Sequence, residues 1–186
     1  QPERALETLQ RSLALAGDAT PSADTFFLQG LAYLGVGERG KAAESLERSI
    51  KLNPSGKFAP QAQRVAAEVY AQLGQLDLAK AHLKLLAEFY LQARRPKEAL
   101  EALQGLTTEA TGGIGAAEIS LLLGLAYHDL GELEKSIQSL KRSLELRPSL
   151  ETERRAHDTL SEIYAKLGRD KLAKTHRKLS QELGQP

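Results

Sequence analysis

Apolar residues recur along this chain every three or four positions in short runs that stop at glycine or proline, the period of amphipathic helices. The clearest example is residues 122–149. Leu122, Leu123, Ala126, Tyr127 and Leu130 form one stripe that Gly131 stops, and Ile137, Leu140, Leu144 and Leu146 form a second that ends at Pro148. Small and large positions alternate so that Gly124 and Ala126 meet Tyr127 and Leu140 across the turn. Residues 26–54 restate this order with Gly30, Tyr33, Gly37, Ala42, Leu46 and Pro54. Residues 60–87 do so with Ala67, Tyr70, Gly74, Ala79 and Leu83, and residues 153–183 with Leu160, Tyr164, Gly168 and Ala173. Before them, residues 2–16 read as a lone amphipathic helix with Ala5, Leu6, Leu9, Leu13 and Leu15 on one side.

The middle departs from the rule. From Asp77 the apolar run continues without a breaker to about Ala93, long for half a helix pair. Leu86, Tyr90, Ala99 and Leu103 also fit a repeat of their own, so this helix is expected to serve as the second half of one pair and the first half of the next. Arg94, Arg95 and Pro96 make the turn into a helix at 97–106, and a Gly-rich connector, 107–115, follows. An offset of about 94 carries Ala99 to Ala5, Gly124 to Gly30, Tyr127 to Tyr33, Pro148 to Pro54, Tyr164 to Tyr70 and His176 to His82, with roughly two positions in five identical. Two tandem copies are therefore expected, 1–93 and 94–186, each a lone helix plus two helix pairs, in one continuous array. By the same logic residues 2–16 are expected to pack on a helix further upstream.

The residues Leu123, Gly124, Tyr127, Gly131, Leu140 and Pro148 resemble the signature of the tetratricopeptide repeat, departing from it at Ser120, where Trp is frequent, and at Ser136, where Ala is. The resemblance implies an all-α fold, a right-handed α-α superhelix of tetratricopeptide-like helix pairs. It also implies a protein–protein interaction scaffold that binds a peptide or helix of a partner in a concave groove. Carried over position by position, that groove would hold Phe27, Leu31 and Leu34, then Arg64 and Glu68, then Lys84 and Glu88. Leu121, Leu125, His128 and Asp129 follow, then Asp158 and Glu162. One subclass of the family clamps the carboxylate of chaperone tails with Lys and Asn. Those positions here are Phe27, Leu31, Arg64 and Glu68, so that clamp is absent. The alternative is a self-association module in which the first helix and Leu172, Leu179 and Leu183 join neighbours.

Within the repeat, all five tyrosines share one position, which points to a structural ring packed between helices. Gly30, Ala67, Ala87 and Gly124 read as points of close helix approach. A net charge of +1 gives no bulk attraction to nucleic acid or membrane, and the basic residues near Arg169 to Lys178 lack interleaved aromatics, so no nucleic-acid partner is expected. No apolar run approaches the roughly 18 residues of a membrane span. Cysteine is absent, which removes disulfide and thiolate chemistry. Of the four histidines, His82 and His176 occupy equivalent positions and are expected on solvated outer faces, while His128 and Asp129 form one His/Asp pair on the groove. No ligand set or triad converges by spacing, so no enzyme activity, cofactor or metal is expected. Residues 111–115, Thr-Gly-Gly-Ile-Gly, lack the strand and Lys of a phosphate loop and read as linker. The start at Gln1 and the absence of Met suggest a piece of a longer protein. The Cys-free composition leans to a bacterial cytoplasm or periplasm, with the partner and oligomeric state left open.

Overall fold

The computed structural model describes residues 2–15, 21–107 and 115–184. Most of the expected connector, and part of the turn after the first helix, lie outside the described residues, as do the side chains of Ala5, Leu13 and Leu15. The described residues form ten α-helices and no strand: α1 (Pro2–Leu15), α2 (Ala23–Gly35), α3 (Arg39–Leu52), α4 (Ala59–Gln72), α5 (Leu76–Gln92), α6 (Pro96–Thr107), α7 (Ala116–Asp129), α8 (Leu133–Glu145), α9 (Leu150–Lys166) and α10 (Asp170–Leu183). The uninterrupted run expected after Asp77 is α5. The chain divides into two compact units, Gln1–Leu86 and Ala87–Pro186, and α5 crosses the division.

One turn, used five times, explains why the helices end where they do. In each case the amide three residues beyond the helix returns to a tyrosine carbonyl: Glu38 to Tyr33 (2.9 Å), Gln75 to Tyr70 (2.8 Å), Arg95 to Tyr90 (2.8 Å), Glu132 to Tyr127 (2.9 Å) and Arg169 to Tyr164 (2.8 Å). This closure requires a left-handed residue four positions after the tyrosine. Gly37, Gly74, Gly131 and Gly168 supply it with φ between 67° and 81°. At the third turn the residue is Arg94, with φ 57°. A non-glycine residue held there costs about 1–2 kcal/mol. The ion pair that Arg94 makes with Asp129, at 3.6 Å, leaves its own side chain 84% exposed, so it returns only about 0–1 kcal/mol. Arg94→Gly should therefore raise stability by about 0.5–1 kcal/mol, less whatever chain entropy the glycine adds to the unfolded state; urea unfolding checks this, and a clear loss would contradict it.

In the first unit α1 packs on α2, α2 on α3 and α3 on α4. Its core joins Phe27, Leu46, Ile50, Ala62, Ala66, Val69, Tyr70 and Ala79. In the second unit α6 packs on α7, α7 on α8, and α9 on both α8 and α10, with a direct α7–α9 contact. That core joins Leu121, Leu140, Ala156, Leu160, Ile163, Tyr164 and Ala173. Bulk is distributed differently in the two. Leu160 and Leu121 of the second unit have Ala66 and Phe27 at the matching places of the first, where Phe27 stacks on Phe58 at 5.0 Å. The volume an alanine gives up is supplied by aromatic rings, which keeps packing density near that of other interiors.

The helix pairs approach closely at glycine, as the sequence suggests. A Cβ on Gly30 would stand 2.8 Å from Leu46 Cγ, and one on Gly124 2.6 Å from Leu140 Cγ. Buried serines tie the same pairs together. Ser49 and Ser143 donate to the carbonyls of Ala23 and Ala117, each at 2.7 Å, and Ser136, the departure from the usual alanine, donates to Gly124 at 2.7 Å. A hydroxyl bonded in this way can be buried without an unmet polar group.

Candidate functional site

Two local features set the α7–α9 face of the second unit. Gly115, with φ 85°, opens α7 in a conformation that side chains avoid. Ser149 caps α9, its hydroxyl accepting from the Thr152 amide at 3.3 Å. With both helices fixed and packed together, residues from their C-terminal turns meet.

At that meeting point Lys166 Nζ lies 2.9 Å from His128 Nε2. An ammonium only donates, so Nε2 accepts and the imidazole is neutral with its proton on Nδ1. Burial pushes the His128 pKa down and the charge of Lys166 pushes it further, while Glu162 and Asp129 act in the opposite direction. Asp129 Oδ1 stands 3.9 Å from Nδ1, beyond hydrogen-bond reach, and 3.6 Å from Arg94. Arg94, His128, Asp129, Glu162 and Lys166 thus form one mixed-charge cluster. Leu125, one turn before His128, is half-buried against the core. Such a face can grip a carboxylate with Arg94 or Lys166, a cation with Glu162 or Asp129, and an apolar side chain at Leu125.

The residues expected to line a groove have diverse settings. His128, Asp129 and Glu162 come together. Asp158 accepts from Ser180 of α10 and from Arg154, the latter at 3.5 Å, which ties it to the helix pair. Leu121, 2% exposed, and Phe27, 6% exposed, are core residues and present almost no surface. Leu31 is exposed and Leu34 half-buried on α2, while Arg64 and Glu68 are exposed on α4. Lys84 and Glu88 are half-buried on α5, on either side of the division between units. Arg94 joins this cluster although the sequence placed it only in a turn; its position four residues after Tyr90 marked it as the odd residue among four glycines.

The histidine expectation needs correction. His82 is 5% exposed, stacked on Tyr70 at 5.3 Å, with Nδ1 2.6 Å from Gln63 Oε1 and Nε2 3.0 Å from Glu47 Oε1. His176 is half-buried, stacked on Tyr164 at 5.4 Å, with Nδ1 2.8 Å from His157 Nδ1. Both rings turn inward because a polar partner on the preceding helix satisfies them, which helical spacing within their own helix does not reveal. The tyrosines follow their shared structural role. Tyr70 donates to Glu47 at 3.1 Å, and burial followed by the Glu47 charge raises its pKa to about 12. Tyr33, Tyr90 and Tyr127 lie under Lys41, Arg95 and Lys135 at 5.8, 4.9 and 5.4 Å. Among the described residues no three His, Cys, Asp or Glu side chains are grouped to hold a metal ion, and no helix is long and apolar enough to cross a membrane.

Tetratricopeptide repeat family models match residues 27–88 and 117–150, together more than half of the chain. The chain belongs to the tetratricopeptide repeat family. Its all-helical repeat fold is shared with solved structures of low sequence identity. The Cut9–Hcn1 hetero-tetramer of the APC/C is similar at 18% identity and a TM-score of 0.50, covering 96% of this chain and 37% of that one. MamA from Desulfovibrio magneticus RS-1 is similar at 22% identity and a TM-score of 0.43, covering 98% and 85%. BtubC from P. vanneervenii is similar at 14% identity and a TM-score of 0.45, covering 98% and 72%. No curated protein sequence matches the chain. Tetratricopeptide repeats are in general non-catalytic protein-interaction repeats, and a protein–protein interaction scaffold is the general function that this chain's repeats support.

Proposed function

We propose that the α7–α9 face binds a peptide or helical segment of a partner protein. The observation that supports this reading is the convergence of Arg94, His128, Asp129, Glu162 and Lys166 beside Leu125. A segment with one apolar side chain and an acidic group next to it would set the first on Leu125 and the second against Lys166 and Arg94. The first unit carries residues of the same kinds, Leu31 and Leu34 on α2 and the exposed Arg64 and Glu68 on α4. This two-fold occurrence fits a chain built from tandem copies of one unit, a reading further supported by the shared tyrosine turns, the Gly30–Leu46 and Gly124–Leu140 approaches and the paired Ser49 and Ser143 bonds.

The test is selection of peptides from a random display library against the unmodified chain, followed by affinity measurement on variants. Arg94→Glu/Lys166→Glu alters two cluster cations and should weaken selected peptides by about tenfold or more. Lys174→Glu, an exposed change on α10, should leave them unchanged. Equal affinity for all three proteins would refute the assignment of this face. A second reading, self-association, draws on Leu172 and Leu179, which are 43% and 37% exposed on α10. Sedimentation across a concentration range tests it, growth in mass being its signature.

A further inference from the structure

The two units resolve the same position in opposite electrical ways. In the first, His82 of α5 faces Gln63 of α4 and the carboxylate of Glu47 of α3. In the second, the residues at those three places are His176, His157 and Lys141. A second imidazole replaces the amide, and a cation replaces the carboxylate. The histidine of the first unit therefore has an anion 3.0 Å away, while that of the second has another ionisable ring at 2.8 Å.

We propose that the His157–His176 pair is an acid-sensitive latch that holds α10 against α9 at neutral pH and frees it as the pH falls. With both rings neutral, one Nδ1–H donates to the lone pair of the other Nδ1, and the rings, 5.0 Å apart, bridge the two helices. One added proton settles on the free Nε2 of the donor ring and leaves the Nδ1–H···Nδ1 bond in place. A second places two cations in contact inside the helix pair, and the bond between the rings cannot survive it. The charges acting on the two rings come from α8 and α9. Lys141 of α8 opposes protonation of His176, and Glu153 and Asp158 of α9 favour protonation of His157. Asp158 is itself occupied by Ser180 of α10. α7, also packed on α9, brings His128 and Asp129 toward Glu162 and Lys166 at the far end of that helix.

The direction follows from linkage. Both pKa values lie below the usual 6.5, with burial the largest cause for each, so the folded pair binds protons less well than the unfolded chain does. The stability the pair contributes is complete above about pH 6.5 and is lost as the pH falls through the two depressed values. Besides this pair, α10 is held on α9 by the Ser180–Asp158 bond, by Ser161 donating to the Ala173 carbonyl at 3.0 Å and by the stack of His176 on Tyr164. Its apolar burial is small: Ala173 is buried, whereas Leu172 and Leu179 are exposed. Acid would loosen this helix ahead of the rest of the chain.

Hydrogen exchange on the full chain, corrected for the intrinsic rate at each pH, tests the latch. Between pH 7.5 and 5.0 the protection of α10 should fall about tenfold or more beyond that of α4, a factor that corresponds to one pKa unit of linkage. In His157→Gln/Lys141→Glu, which gives the second unit the polar set of the first, the excess loss should disappear. Equal loss in α10 and α4 of the unmodified chain, or the same excess in the variant, would overturn the proposal. If the variant does not fold, proton NMR titration of the unmodified chain decides. Two imidazoles titrating in linked steps below 6.5 support the latch, and independent single steps at or above 6.5 refute it.

Discussion

Leu160→Ala should lower the stability of the second unit by about 2–5 kcal/mol, the range for emptying a leucine site in a packed interior. Leu160 is fully buried on α9 among Leu121, Leu140, Ile163 and Tyr164. The first unit tolerates alanine at the matching place, but only because Phe27 and Phe58 fill the volume there. Leu121 and Thr152 stand in their positions and are smaller, so the second unit has nothing ready to collapse into the space. A shift in Tm of roughly 5–15 °C follows for a chain of this size. Thermal melts with hydrogen exchange localise the loss: α9 and α10 should open first, and a change below about 1 kcal/mol would show that the cavity closes by another route.

Gly124→Ala is the second large effect, and it is conditional. The added methyl would stand 2.6 and 2.7 Å from Leu140 Cγ and Cδ2 and 3.3 Å from the Leu140 backbone nitrogen. Moving the leucine relieves the first two clashes and not the third, so α8 must also shift. Overpacking of this kind costs about 1–3 kcal/mol, offset by up to about 1 kcal/mol of helix propensity gained. Leu140→Ala alone should cost about 2–5 kcal/mol. Together the two should cost less than the sum by about 1 kcal/mol or more, because the new methyl enters the space the leucine leaves. Simple additivity in chemical denaturation would contradict the close approach.

Much of this architecture could be read from the residues. The helices follow from Leu/Ala periodicity, and the turns from Tyr-x-x-x-Gly, because only a left-handed residue lets the chain return an amide to the tyrosine carbonyl. The length of α5 followed from the absence of a breaker between Asp77 and Ala93. Side-chain direction was less legible. Phe27 and Leu121 were assigned to a binding face by repeat position, yet the shape of each core draws them inward. The burial of His82 and His176 depends on Gln63 and His157, 19 residues earlier on another helix. Spacing within one helix carries no trace of such a partner. Arg94 lies between these cases, since its position was visible and its left-handed backbone was not.

Binding of partner segments on the α7–α9 face is the function proposed for this chain. Its most direct test is chemical-shift mapping of the isotope-labelled chain with a display-selected peptide. Perturbations centred on Leu125, His128, Asp129, Glu162 and Lys166 are the expected result. Saturable binding whose perturbations fall instead on the outer surface of α10, around Leu172 and Leu179, would contradict it.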